Sequence, residues 1–288
     1  MRRTLLLGSS LVVALSLAAC SASSNGSSTG SSSTSAAAAT CTPANLSTHT
    51  AGTLTVATDS PAYEPWFSNN KPSNGKGFES AVAFAVAKQL GYTPEQVKWV
   101  TASFNSVIAP TPKKYDFDIN EVSITPARAK AVDFSTGYYD VAQSVITLKG
   151  SKIANAKSIA DLHGAKLGAQ QGTTSLDAIT GVIKPGTTPA EYPTNDLAVQ
   201  ALKNGQIDGL VVDLPTGLYI TAAELDNSII VGQLPVTGTP EQFGLVLTKA
   251  SPLTSCVSKA VDALRADGTL TALQQQWLTT SAGAPELS

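Results

Sequence analysis

DFDINEVSITPARAKAVDFSTGYYD, residues 116–140, is the stretch in which the chain passes from scaffold to site. The short apolar run Phe117 to Ile119 reads as a buried strand, and the polar segment Asn120 to Thr125 leads from it into a predicted helix. Thr125 suits the cap of that helix and Pro126 its first position, where a missing N–H costs nothing. Arg128 then falls in the first turn. A cation at the positive end of a helix dipole is disfavoured by a few tenths to about 1 kcal/mol at low salt. Two readings account for it: Arg128 reaches water or an acidic neighbour, or its planar fork and the helix start together form a carboxylate pocket.

Upstream, Leu54–Thr58 is a strand, Glu79–Leu90 a helix that is apolar on most faces and ends at Gly91, and Val97–Thr101 a second strand. Downstream, a second series begins with the strand Gln143–Leu148 and continues with Lys166–Ala169. Helices near Thr174–Ile183 and Asp196–Asn204 follow, then Ile207–Val212. Strands alternating with helices predict an α/β fold with mostly parallel sheets, and two such series predict two lobes. The remainder reads as strands Ser228–Val231 and Phe243–Leu247, then helices Pro252–Ala266 and Thr269–Trp277.

The N-terminal end has its own logic. Arg2 and Arg3, the apolar run Leu5 to Leu17 and the small residues before Cys20 form a lipoprotein signal, 1–19, with Cys20 as the lipidated mature terminus. The apolar run is too short to span a bilayer comfortably. The Ser/Ala/Gly-rich segment that follows predicts a flexible tether, 20–45. Removing the leader leaves 17 of the 19 basic side chains against 21 acidic ones, a net charge of −4 with histidines neutral, and no basic patch for nucleic acid. Two cysteines then remain, Cys41 and Cys256. In an oxidising compartment, with no His or second Cys near either, they predict a disulfide.

The run S-I-T-P-x-R-x-K-x-V-D-F-S-x-x-Y-Y, residues 123–139, resembles the signature of family 3 solute-binding proteins, the polar amino-acid receptors of ABC importers. The resemblance extends from about residue 53 to 278. It implies a two-lobe periplasmic-binding-protein type 2 fold with lobe 1 at 46–140 plus 241–288 and lobe 2 at 141–240. Two strands would cross between the lobes as a hinge, near Tyr139–Ser144 and Thr237–Gly244. It also implies capture of a free amino acid by a monomer anchored to the outer face of the cell membrane, delivery to an ABC permease, and no cofactor.

The same resemblance assigns residues. Arg128 and Ser123 would hold the ligand's carboxylate, Asp213 its ammonium, and Tyr63 and Phe104 would sandwich its side-chain stem. Asp213 read alone is equally a helix cap before Pro215. Thr173, where a strand meets a helix start behind Gly172, reads either as a plain cap or as a second carboxylate anchor. Asp59, at the end of the first strand, should face the cleft. Glu121 stands where the family has a small residue. Glu64 is close by, and two or three carboxylates from Asp59, Glu64 and Glu121, around a site that already has Asp213, favour a cationic side chain, hence a basic amino acid such as lysine, arginine or ornithine.

Other classes fare worse. His49 and His163 are the only histidines and neither has a nucleophile nearby, which excludes a Ser-His or Cys-His hydrolase, and their scarcity also argues against a metal site. Periplasmic dehydratases acting on prephenate or arogenate look like this family and place a carboxylate in the cleft, a part Glu121 could play. Delivery of ligand to a separate sensor is a third reading.

Overall fold

The computed structural model describes residues 41–236, 238–278 and 284–288. The predicted signal, Cys20 and residues 20–40 of the predicted tether lie outside them. The tether's predicted end at 45 falls inside the described residues, which begin at Cys41. Cys41 is bonded to Cys256, with the two Cα atoms 5.5 Å apart, and Leu46 N and Asn45 N both donate to Thr42 O to form a turn.

The chain runs β1 (Leu54–Thr58), α1 (Phe78–Gln89), β2 (Val97–Thr101), α2 (Phe104–Ile108), β3 (Phe117–Asp118), β4 (Val132–Val141) and β5 (Gln143–Leu148). It continues with β6 (Leu167–Gln170), α3 (Thr174–Ala178), β7 (Ala190–Tyr192), α4 (Asn195–Lys203), β8 (Gly209–Asp213) and α5 (Leu214–Tyr219). β9 (Ser228–Gln233), β10 (Glu241–Thr248), α6 (Thr254–Ala266) and α7 (Thr269–Leu278) complete it. The first sheet has the order β2-β1-β3-β10-β4 and the second β7-β6-β8-β5-β9.

Both sheets are mixed. β1 pairs in parallel with β2 and β3, and β6 with β7 and β8, but β10 and β5 run antiparallel to both of their neighbours. The reversed strands are those at the crossings between the sheets. β4 passes into β5 through Ala142 alone, and β9 returns to β10 across 234–240, with Glu241 paired to Val141 where the two crossings meet.

β1 is buried along its whole length, Thr55 and Thr58 included, as suits a run of apolar and β-branched residues in a strand with a neighbour on each side. α1 packs against α6 and α7 and buries Phe78, Val82, Ala83 and Val86. It stops where the sequence indicates. Gly91 takes φ 84°, Gly91 N donates to Lys88 O and Tyr92 N to Ala87 O, the paired bonds of a Schellman cap, and a Cβ on Gly91 would come within 3.0 Å of Pro43. In the first core Trp66, Phe78, Tyr139 and Phe243 meet edge to face or tilted, with ring centres 5.4–6.0 Å apart.

Two expectations fail here. The helix after Thr125 is a single 3-10 turn, Arg128–Lys130, because the β-branched and aromatic run that follows becomes the ten-residue strand β4. The second failure concerns the C-terminal end, which does not stay with the first sheet. Glu286 bridges Gln233 at the outer edge of β9, Leu287 N donates to Gln233 O, Gln233 N to Pro285 O and Ile159 N to Ser288 O. Leu287 is 1 % exposed in the second sheet's core. The tail thus covers an otherwise open sheet edge, which removes a template for unwanted strand pairing.

Candidate functional site

The C-terminal ends of β1, β3, β6 and β8 meet at a cleft between the sheets, the place where an open α/β sheet binds ligands. It encloses about 440 Å³ of atom-free space including its mouth. From the first half come Asp59, Tyr63, Phe104, Asn120, Glu121 and Ser123. The second half contributes Gln170, Thr173, Thr174, Asn195 and Asp213. Seven of the eight residues expected from the sequence therefore line one space, and the eighth, Arg128, lies behind it.

Asp59 follows β1, and its carboxylate accepts from Ser60 N at 2.7 Å and Phe104 N at 3.3 Å, which fixes the start of α2. Phe104 lies under Arg128, whose guanidinium carbon is 5.3 Å from the ring centre. Arg128 is 9 % exposed and commits two of its five N–H groups to carbonyls of opposite halves, Ser123 O and Gly172 O, each at 2.8 Å. Thr125 Oγ1 accepts from Arg128 N at 3.1 Å, so the threonine caps as expected although only one turn follows. Burial lowers the Arg128 pKa, and the nearby Glu241, Asp177 and Asp213 raise it.

Glu121 occupies the left-handed region with φ 53°, a conformation that costs a non-glycine residue about 1 kcal/mol or more. Its N–H donates to Glu79 Oε1 at 2.7 Å, and its Oε2 accepts from Thr216 Oγ1 at 2.8 Å, which in turn accepts from Trp66 Nε1 at 2.8 Å. Glu121 is thus held across the cleft by a hydroxyl of α5. Burial pushes its pKa well up, helped by Glu79 and then Asp213.

Asp213 stands at the start of α5 without capping it. Its Oδ1 accepts instead from Gln143 Nε2 at 2.7 Å, and burial followed by Glu241 raises its pKa well above the usual carboxylate range. Thr173 does cap α3: its Oγ1 accepts from Leu176 N at 3.3 Å and donates to Gln170 O at 2.7 Å. Tyr63 faces the cleft beside Asp196, and its pKa is raised by burial first and then by that carboxylate.

Three acidic residues escaped the sequence reading. Glu79, in the first turn of α1, is fully buried; Tyr138 Oη donates to it, and burial pushes its pKa up to about 7. Asp118 at the end of β3 is also fully buried, with neither carboxylate oxygen partnered. Burial, then Glu79 and Asp59, raise its pKa well above its ordinary value. Glu241 opens β10 and accepts from Ser123, Thr174 and Gln143. An acid inside an apolar run is a signal for Glu79 and Asp118; the sequence around Glu241 holds none. Among the described residues no three His, Cys, Asp or Glu side chains are grouped to hold a metal ion, and no helix is long and apolar enough to cross a membrane.

Residues 54–280 match the family model of bacterial extracellular solute-binding proteins, family 3. The ABC transporter arginine-binding protein 1 of Escherichia coli K12 is 31% identical over 224 residues, 76% of this chain and 88% of that protein. An ancestral arginine-binding protein bound to glutamine superposes with a TM-score of 0.66 at 31% identity, covering 80% of this chain and 99% of that one. The ancestral amino acid-binding protein AncCDT-1, a precursor of cyclohexadienyl dehydratase, gives 0.64 at 31% identity over 79% and 95%. With its paired five-stranded sheets and a cleft at their strand ends, the chain belongs to family 3 of the bacterial extracellular solute-binding proteins.

Proposed function

We propose that this protein captures a basic amino acid by closing two lobes on it and presents it to an ABC permease. The observation that carries this reading is the charge of the cleft: Asp59, Glu121 and Asp213 line it, and among the described residues no lysine or arginine does. Burial raises the pKa of Glu121 and Asp213, and a cation brought beside them offsets that cost of ionisation. Arg128 behind the wall supplies the positive charge for the ligand's carboxylate. Arginine binding by the Escherichia coli relative supports the same ligand class.

Lobe 1 comprises 46–140 with 241–278, and lobe 2 comprises 141–240 with the tail 284–288. The crossings at Ala142 and 234–240 are the hinge. A ligand touching both lobes favours closure by its higher affinity for the closed state. Lipid on Cys20 and the tether hold the monomeric receptor at the outer face of the membrane.

The test is calorimetric titration of the body from residue 41, stripped of carried-over ligand by unfolding and refolding, against the twenty amino acids plus ornithine and citrulline. Tight binding confined to lysine, arginine or ornithine is the expected result. Binding of glutamine, glutamate or cystine instead refutes the selectivity and keeps the receptor, whereas no binding refutes both.

A second reading rests on Glu121 itself, a cleft carboxyl whose pKa burial raises, the direction that suits a general acid, as in a dehydratase. Turnover of prephenate or arogenate would establish it.

A further inference from the structure

Ser123 and Thr174 stand on opposite halves of the cleft, the first in the loop after β3 and the second at the start of α3, with hydroxyl oxygens 3.2 Å apart. Both hydroxyls donate to the same atom, Glu241 Oε1, Thr174 at 2.5 Å. Glu241 does not line the cleft. It lines a hollow on the hinge side with Gln143 and Asp177.

A hydroxyl has one proton and two acceptor lone pairs. With both protons directed at Glu241, Ser123 and Thr174 face the cleft as acceptors only. The amide beside them is oriented the same way. Gln143 Oε1 accepts from Ser175 Oγ at 2.7 Å, so its Nε2 is turned to Asp213 Oδ1 at 2.7 Å and to Glu241 Oε2 at 3.2 Å. The side-chain groups on this part of the wall, Ser123, Thr174 and Asp213, thus all accept.

We propose that Glu241 is a specificity-determining positioning residue, which by taking the protons of Ser123 and Thr174 makes this wall a receptor for a cationic N–H donor, the ligand's α-ammonium. The proposal rests on the amino-acid reading above and deepens it. It also reverses one expectation: the Ser123 hydroxyl accepts from the ammonium rather than donating to the carboxylate, which is left to Arg128. Glu241 touches no ligand and acts through the two hydroxyls. Its place at the junction of the crossing strands sets this polarity as Ser123 and Thr174 come together.

The experiment is calorimetric titration of wild type and variants with arginine and with 5-guanidinopentanoate, which lacks only the α-ammonium. In wild type, arginine should bind more tightly than the analogue by about 100-fold or more, since its ammonium meets Asp213 as well as the two hydroxyls and one hydrogen-bonded charge alone is worth about 10- to 150-fold. Glu241→Ala frees the protons and should lower that ratio by about tenfold or more, with the analogue changed by less than about threefold. Glu241→Gln, whose amide oxygen can take the same protons, should keep the ratio within about threefold of wild type. Ser123→Ala removes one acceptor with Glu241 in place and should also lower the ratio.

An unchanged ratio in Glu241→Ala or Ser123→Ala, or equal losses for both ligands, overturns the role of Glu241 and leaves the receptor reading intact. Wild type that does not bind arginine overturns both.

Discussion

Replacing Glu79 by glutamine should stabilise the protein at neutral and alkaline pH and leave it nearly unchanged in acid. Glu79 is wholly buried, its Oε1 accepts from Glu121 N and Tyr138 Oη, and its Oε2 has no partner. Burial raises its pKa from 4.5 to about 7. The folded chain therefore holds this proton more tightly than the unfolded chain. Its contribution to stability is greatest below about pH 4.5, declines as pH rises, and is lost once pH passes about 7.

A tenfold change in proton affinity is worth about 1.4 kcal/mol, so the whole interval amounts to about 3 kcal/mol, and about 2 to 3 kcal/mol of it falls between pH 5 and pH 8. The amide in Glu79→Gln keeps an oxygen for both donors and never ionises. Glu121 and Asp118 move the same way, since Glu79 is a cause of each one's rise. Denaturant unfolding of the wild type and Glu79→Gln at both pH values gives the difference directly. A stability difference that stays flat from pH 5 to pH 8, or one that favours the wild type at pH 8, refutes the reasoning.

Leu287→Ala should cost about 2 to 5 kcal/mol, because the side chain is buried in the second core; an unchanged unfolding midpoint would contradict the docking of the tail. Cys256→Ser opens a bridge spanning 215 residues and should lower stability by about 2 to 5 kcal/mol, read from thermal unfolding with and without reductant, the variant being indifferent to reductant. Arg128→Ala removes charge-assisted bonds to Ser123 O and Gly172 O and should weaken amino-acid binding by about 10- to 150-fold, while far-ultraviolet circular dichroism stays that of the wild type. Wild-type affinity in that variant would remove Arg128 from the site.

Much of the fold is written in local pattern. β1, β2 and β5 are rich in apolar and β-branched residues and appear with their expected limits, and the end of α1 at Gly91 follows from a backbone conformation that suits glycine. β4 was hidden because Thr125, Pro126 and an alanine-rich turn imitate a helix start. Only pairing with β10 decides in favour of the strand. The docked tail could not be read because five residues without a pattern, Glu286 and Leu287 among them, gain their place from the free edge of β9. In the site, residues tied to strand ends, such as Asp59 and Asp213, were visible. Glu241 was not, since its meaning comes from Ser123 and Thr174, 118 and 67 positions away.

The most direct test of the central claim compares arginine with citrulline by calorimetry on the same ligand-stripped protein, because the two ligands have nearly the same shape and differ in the charge of the distal group. With Asp213 taken by the α-ammonium that both ligands share, the Asp59 and Glu121 carboxyls of the cleft should prefer arginine by about tenfold or more, as a single hydrogen-bonded charge is worth at least that. Equal affinities, or a preference for citrulline, would contradict the account.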